Sequence, residues 1–129
     1  MPVLIILFLL PVGPAYIHIW NDREASRGLI DASQFLNVNG EKDDIVMSVA
    51  HPYIYYFSNK KSTYFPADPK DIEKAIQANK VKYILLNKFE SGYPDYAFTY
   101  FTENQNFTKL KSFYQDGNPE AINVYSTNR

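Results

Sequence analysis

The chain contains no cysteine. That absence excludes disulfide cross-links, thiolate zinc sites and thiol catalysis together. It leaves the compartment open, since a secreted domain can also lack disulfides. Histidine is almost as scarce: His18 and His51 are the only two in 129 residues, and neither stands in a metal-ligand spacing. The five glycines form neither a G-x-G-x-x-G pattern nor a P-loop, so nothing cradles a phosphate. An excess of charge of one sign is missing too. Thirteen basic residues face 14 acidic ones, for a net charge of −1. No basic stripe is interleaved with aromatics, so nucleic acid is not an expected partner. No internal repeat or low-complexity segment occurs. No metal and no cofactor is expected.

What is present is the composition of a folded protein. A length of 129 residues suits one domain, and 46% hydrophobic with 21% charged residues is a globular balance. Aromatics are abundant, with 11 Tyr, 9 Phe and 1 Trp. Tyr covers apolar surface while keeping a polar tip, so it serves a small core and a half-wet surface alike.

The first 20 residues stand apart. From Pro2 to Trp20 no side chain is charged except by protonation of His18, and residues 3–10 are wholly aliphatic or aromatic. Nineteen residues as a helix span about 28 Å, just under the roughly 30 Å of bilayer hydrocarbon. Pro11, Gly13 and Pro14 interrupt the run, while Tyr16 and Trp20 stand where an interfacial aromatic belt would be. Three readings fit: the end of a transmembrane helix, a secretory signal peptide with small residues around Gly13-Pro14-Ala15, or a buried core strand. The signal peptide lacks the basic start of an n-region. Between Asn21 and Asp44 six acids outnumber three bases, which opposes a cytoplasmic position by the positive-inside rule. The expected division is an apolar segment over residues 1–20, associating with a membrane, and a single α/β domain over residues 21–129 on the extracytoplasmic side. Asn106-Phe107-Thr108 has the form of a glycosylation sequon, although such triplets arise often by chance.

Beyond residue 20, helical and strand patterns alternate. Asn21 and Glu24 make a capping box, and Ala25, Leu29, Ala32 and Leu36 recur at helical spacing. Residues 45–50 read as a buried strand closed by His51-Pro52, and residues 53–58 as a short helix. Asn59-Lys60-Lys61 is a polar turn, followed by a short strand over residues 62–65. Asp68 caps a helix with Pro69 at its first position and Ile72, Ala75 and Ile76 on its buried face. Residues 81–86 form a second central strand. Pro94 opens a third helix lined by Ala97, Tyr100 and Phe101. Residues 108–114 alternate, Leu110 against Lys109 and Lys111 and then Phe113 against Ser112, as an outer strand with one wet face, and Asp116-Gly117-Asn118-Pro119 turns the chain into a last strand over residues 121–125. This order predicts a three-layer α/β fold with a mainly parallel sheet and a C-terminal antiparallel hairpin.

Ligands of open α/β sheets sit beyond the carboxyl ends of the strands. Two such ends carry chemistry here: Ser48 to Tyr56, with His51, Tyr53, Tyr55 and Tyr56, and Asn87 with Lys88, Phe89 and Glu90. Aromatic faces beside hydrogen-bonding groups suit a glycan. The competing reading is that these tyrosines pack the core and His51 shapes a turn. No nucleophile, base and orienting acid stand in a defensible arrangement, so no residue is assigned as catalytic. Asp43-Asp44 is a poor acid–base pair, because neighbours at a strand start point to opposite faces.

Several segments together resemble the C-terminal extramembrane domain of membrane glycosyltransferases of the dolichyl-phosphate-mannose–protein mannosyltransferase type, including aminoarabinose-transferase-like enzymes. They are the aromatic end of the apolar stretch at residues 15–20, a strand with a Pro-x-x-x-Tyr segment over residues 44–56, Val81-Lys82-Tyr83-Ile84-Leu85-Leu86, Phe113, and the ending Asn123-Val124-Tyr125. The resemblance covers nearly all of the chain through loose, fold-like motifs. In that family the catalytic acid and the lipid-phosphate sugar site lie in a preceding membrane portion, and no residue here corresponds to that acid. The resemblance therefore implies a tail or separately encoded remnant with an accessory role: covering the active-site mouth, or holding acceptor or glycan beside the catalytic membrane portion. A stand-alone α/β binding module, secreted or membrane-tethered, is the alternative. Deleting residues 1–20 separates the readings. A soluble chain with native circular dichroism is expected, whereas loss of folding would make residues 3–10 a core strand.

Overall fold

The computed structural model describes residues 26–128. The apolar stretch over residues 1–20 and the capping residues Asn21 and Glu24 lie outside the described residues. Helix α1 runs over Arg27–Asn39, and strand β1 over Ile45–Met47. A helical turn at His51–Tyr53 runs directly into a π-helical turn at Ile54–Ser58. Strand β2 covers Lys61–Thr63, and a 3-10 turn at Pro69–Asp71 leads into α2 at Ile72–Asn79. Strand β3 is Val81–Asn87, α3 is Ala97–Glu103, β4 is Phe107–Gln115 and β5 is Asn118–Thr127.

The five strands form one sheet in the order β2-β1-β3-β5-β4. The β1–β2 and β1–β3 pairs are parallel; the β3–β5 and β4–β5 pairs are antiparallel. The fold is thus mixed α/β. The expected mainly parallel sheet is corrected: the antiparallel ladders are the longer ones, because β5 inserts beside β3 and leaves β4 at the edge. β3 is paired on both sides and buried along nearly its whole length, which explains its unbroken apolar run.

Two apolar clusters flank the sheet. Leu29, Ala32 and Leu36 of α1 join Val46, Tyr83, Leu85, Ile122 and Val124 on one face. Ile72, Ile76, Ala97 and Phe101 join Met47, Ile84, Leu86 and Tyr125 on the other. The assignment follows the two-residue period of the strands. Phe101 is the hub of the second face, with ring centroids 5.9 Å from Phe65, 5.2 Å from Tyr100 and 4.8 Å from Phe107. Ala75 and Tyr100, expected on buried faces, are only half-buried.

Several boundaries differ from the sequence reading for physical reasons. β1 stops at Met47 rather than continuing to Ala50. The Ser48 N–H still reaches Thr63 O at 3.1 Å, but the Ser48 hydroxyl accepts the Ala50 N–H at 3.1 Å and curls the chain away. β2 starts at Lys61, inside the expected polar turn, and ends before Tyr64. Lys60 of that turn is buried and donates from Nζ to the Glu41 carbonyl. β4 does not alternate cleanly: its register slips between Lys109 and Lys111, and Leu110 at this bulge is exposed. The hairpin closes with the two-residue loop Asp116-Gly117, with φ of 47° and 83°, and β5 already begins at Asn118. Positive φ at both positions is the hairpin geometry that Asp-Gly favours. Pro119 is tolerated because it precedes the β3-paired part of β5, which starts at Ile122. Asp68 caps its helix as expected, accepting the Lys70 N–H at 2.9 Å.

Gly28 is where α1 touches the hairpin. A Cβ there would lie 2.3 Å from the Tyr114 carbonyl oxygen and 3.2 Å from Ile122 Cδ1. Gly28→Ala gains about 1 kcal/mol of helix propensity but overpacks a backbone contact at a cost of about 2–3 kcal/mol. A net loss of about 1–2 kcal/mol, read by denaturant unfolding, is expected. A stabilised variant would show that α1 is free to lift.

Candidate functional site

All three parallel strands end on the same side of the sheet, and that side carries the polar cluster. After β1 the chain passes through Ser48 and Ala50 into His51. After β2 it passes through Tyr64 and Phe65, and after β3 through Asn87, Glu90 and Tyr93. Tyr93 ties two of these ends together. Its hydroxyl accepts the Asn87 N–H at 3.0 Å and donates to Leu85 O at 3.3 Å, with Ser48 and the Val49 backbone beside it. Burial pushes this phenol up to about 12. Gly92 holds the loop at φ 99°, a conformation that favours glycine, and a Cβ added there would reach van der Waals contact with Val49.

The Asn87 side chain is buried, and its Oδ1 accepts the Phe89 N–H at 3.0 Å, forming a local turn. Burial raises the Glu90 carboxyl above the usual carboxylate range, opposed by a hydrogen bond from the Asn87 side chain. Glu90 Oε2 is buried without a partner. His51 sits on Tyr64, with ring centroids 4.0 Å apart, and its Nδ1 shares a hydrogen bond with the Ser62 hydroxyl. Its Nε2 is buried without a partner, and burial lowers the imidazole below its usual value.

Of the expected ligand contacts, His51 and Asn87 belong to this end of the sheet. Tyr53 is half-buried against the first core cluster, and its hydroxyl is hydrogen-bonded to Ser26 Oγ at 2.6 Å, so it packs and ties. Tyr55 and Tyr56 project from the π-helical turn, 65% and 78% exposed, with rings 5.6 Å apart. They make a separate aromatic corner. Tyr64, Glu90 and Tyr93 complete the cluster. Tyr64 and Tyr93 had no signal of their own, because their role depends on which strand ends lie side by side. Asn106 is exposed, in the turn between α3 and β4 at the opposite end of the sheet. Among the described residues no group of His, Asp and Glu could hold a metal ion.

Clefts also run along α1. One, of about 520 Å³, lies between Phe35, Tyr83, Leu110 and Thr127. Its neighbour, of about 440 Å³, lies between Phe35, Val38, Lys111 and Phe113, with Lys111 Nζ 5.5 Å above the Phe35 ring. Neither contains a residue expected to bind ligand.

No protein-family model matches the chain, and no curated protein matches it in sequence. One solved structure does match in shape: the C-terminal globular domain of an oligosaccharyltransferase from Archaeoglobus fulgidus. The TM-score is 0.50 at 12% identity, over 75% of this chain and 94% of that one. The likeness is one of fold.

The raised Glu90 carboxyl has a measurable consequence. In the folded protein this group holds its proton at pH values where the unfolded chain has released it. Its contribution is therefore favourable in acid and is lost as pH rises through the folded-state value. Glu90→Gln removes that loss, so its melting temperature relative to the parent should climb as pH rises from about 4 to about 7. A pH-independent difference would contradict the burial of this carboxyl. Tyr93→Phe leaves the Asn87 N–H without its acceptor, and a loss of about 1–2 kcal/mol in unfolding free energy is expected.

Proposed function

We propose that the chain is a non-catalytic accessory domain of a membrane glycosyltransferase that uses a lipid-phosphate-linked sugar. Residues 1–20 would anchor it as the end of a membrane helix, and residues 21–129 would form its extracytoplasmic globular domain. The observation that carries this reading is the fold shared with the C-terminal globular domain of an oligosaccharyltransferase, over three quarters of this chain. It agrees in kind with the family resemblance of the sequence, which also points to a C-terminal domain of a sugar-transferring membrane enzyme. Among the described residues no helix is long and apolar enough to cross a membrane. The partner would be the catalytic membrane portion, with the domain beside its active-site mouth.

Fractionation of cells expressing the full chain tests this. The chain should stay with membranes through an alkaline wash, and protease should reach the domain from the extracytoplasmic side. Recovery as a soluble cytoplasmic protein would overturn the proposal.

A second reading, a glycan-binding module, is favoured by Glu90 Oε2 and His51 Nε2, two buried polar atoms without partners where strands end. A sugar hydroxyl donates and accepts at once, and Tyr64 offers a ring face beside His51. Calorimetry against a panel of oligosaccharides should then detect binding that falls about tenfold or more in Tyr64→Ala and Glu90→Gln, with Tyr55→Ala separating the aromatic corner from the strand ends. Heats equal to dilution across the panel would leave these groups to packing alone.

A further inference from the structure

The two ends of the sheet differ in chemistry. Loops at the amino end cover residues 40–44, 59–60, 79–80 and 104–106. They are built from Asn, Gln, Asp, Glu, Lys and one Gly, without a single aromatic. The opposite end holds Tyr64 after β2, Phe89 after β3 and Tyr114 at the close of β4, beside the exposed charges Asp68, Lys88, Asp95 and Asp116, while the exposed Tyr55 and Tyr56 stand on the π-helical turn that leads from one end to the other. Tyr64, Phe89 and Tyr114 are 72%, 52% and 63% exposed.

The chain also enters the domain at this aromatic end. Ser26 is hydrogen-bonded to Tyr53 at 2.6 Å, just after β1, and Gly28 lies against the Tyr114 backbone beside the hairpin turn. Only five residues separate Trp20 from Ser26, and even a fully extended connection reaches about 20 Å. Whatever holds the apolar stretch therefore holds this end of the sheet close to it.

We infer that the carboxyl end of the sheet is a membrane-docking face, on which Tyr64, Phe89 and Tyr114 rest at the headgroup level of a phospholipid bilayer. The inference rests on the membrane anchoring of residues 1–20 proposed above and adds an orientation to it. Exposed Tyr and Phe favour this layer, because the ring is taken up by the apolar boundary while the hydroxyl stays hydrated. The charged amino-end loops, and Asn106 with them, then point away into water, where a charged surface costs nothing.

The absence of cysteine makes the test direct. Single cysteines are placed in the full chain at Tyr64, Phe89 and Tyr114, and as controls at Lys42 and Gln105 on the amino end. Each carries an environment-sensitive fluorophore, and the labelled chains are reconstituted in phosphatidylcholine vesicles containing lipid-borne quencher. Flotation with the vesicles is measured on the same samples. The expected result is flotation of all five, with several-fold stronger quenching at positions 64, 89 and 114 than at 42 and 105. Flotation with equal quenching at both ends would overturn the docking face while leaving the anchor intact. Failure to float would overturn the anchor and the orientation together. A multiple variant, Tyr64→Ser with Phe89→Ser and Tyr114→Ser, labelled at Gln105, should float as the parent does but gain protease sensitivity at the domain's membrane-facing loops. Unchanged sensitivity would also count against the face.

Discussion

Strand β3 is hydrogen-bonded on both sides, to a parallel neighbour and to an antiparallel one, and the rest of the domain is arranged around that fact. Val81 to Asn87 carries apolar residues to both faces because both faces are covered. On one side it receives β1, and through it the short β2. On the other it receives β5, which brings β4 along through a tight Asp-Gly turn. A backbone left unpaired at this depth would forfeit several buried hydrogen bonds, each costing about 1–3 kcal/mol to leave unmade. Placing β5 inside the sheet removes that cost for β3 and leaves the exposed edge to β4, a strand already rich in lysine and polar residues.

That topology also gathers the chemistry. Parallel strands put their carboxyl ends on one side, so the loops after β1, β2 and β3 become neighbours although they are separated by tens of residues. Ser48, Asn87, Glu90 and Tyr93 come together for this reason, and His51 with Tyr64 stands at the same end of the sheet. The antiparallel hairpin adds its turn at the same end, and α1 starts there, fixed by the close approach of Gly28. The end where the chain enters thus carries exposed Tyr64, Phe89 and Tyr114 among its charges, whereas the loops at the other end carry no aromatic.

Much of this was legible in the residues. Helix α1 shows its buried face at Leu29, Ala32 and Leu36, α2 its cap at Asp68 and Pro69, and β3 its continuous apolar run. The two strand ends that carry polar groups were also visible, because His51-Pro52 and Asn87-Lys88 each interrupt an apolar stretch. What escaped depended on contacts between distant segments. Nothing local says that β5 lies between β3 and β4. Lys60 is buried only because the Glu41 carbonyl accepts its ammonium. The bulge at Leu110 reflects a register adjustment against β5, and a period count over residues 108–114 cannot see it. The hydrogen bond between the Tyr53 hydroxyl and Ser26 also joins segments that no local pattern connects.

The bulge in β4 has a wider consequence. An edge strand of nine residues is long enough to template another copy of itself. Lys109, paired with Glu120, and Lys111 flank the bulge and the backbone between them is out of register, so two edges cannot lie flat together without desolvating charged side chains and losing ladder bonds. β2, the other edge, is three residues long and offers too little backbone to recruit a strand. The sheet is thereby closed to its own kind at both borders: molecules packed side by side stay separate folding units instead of fusing into a continuous β-structure.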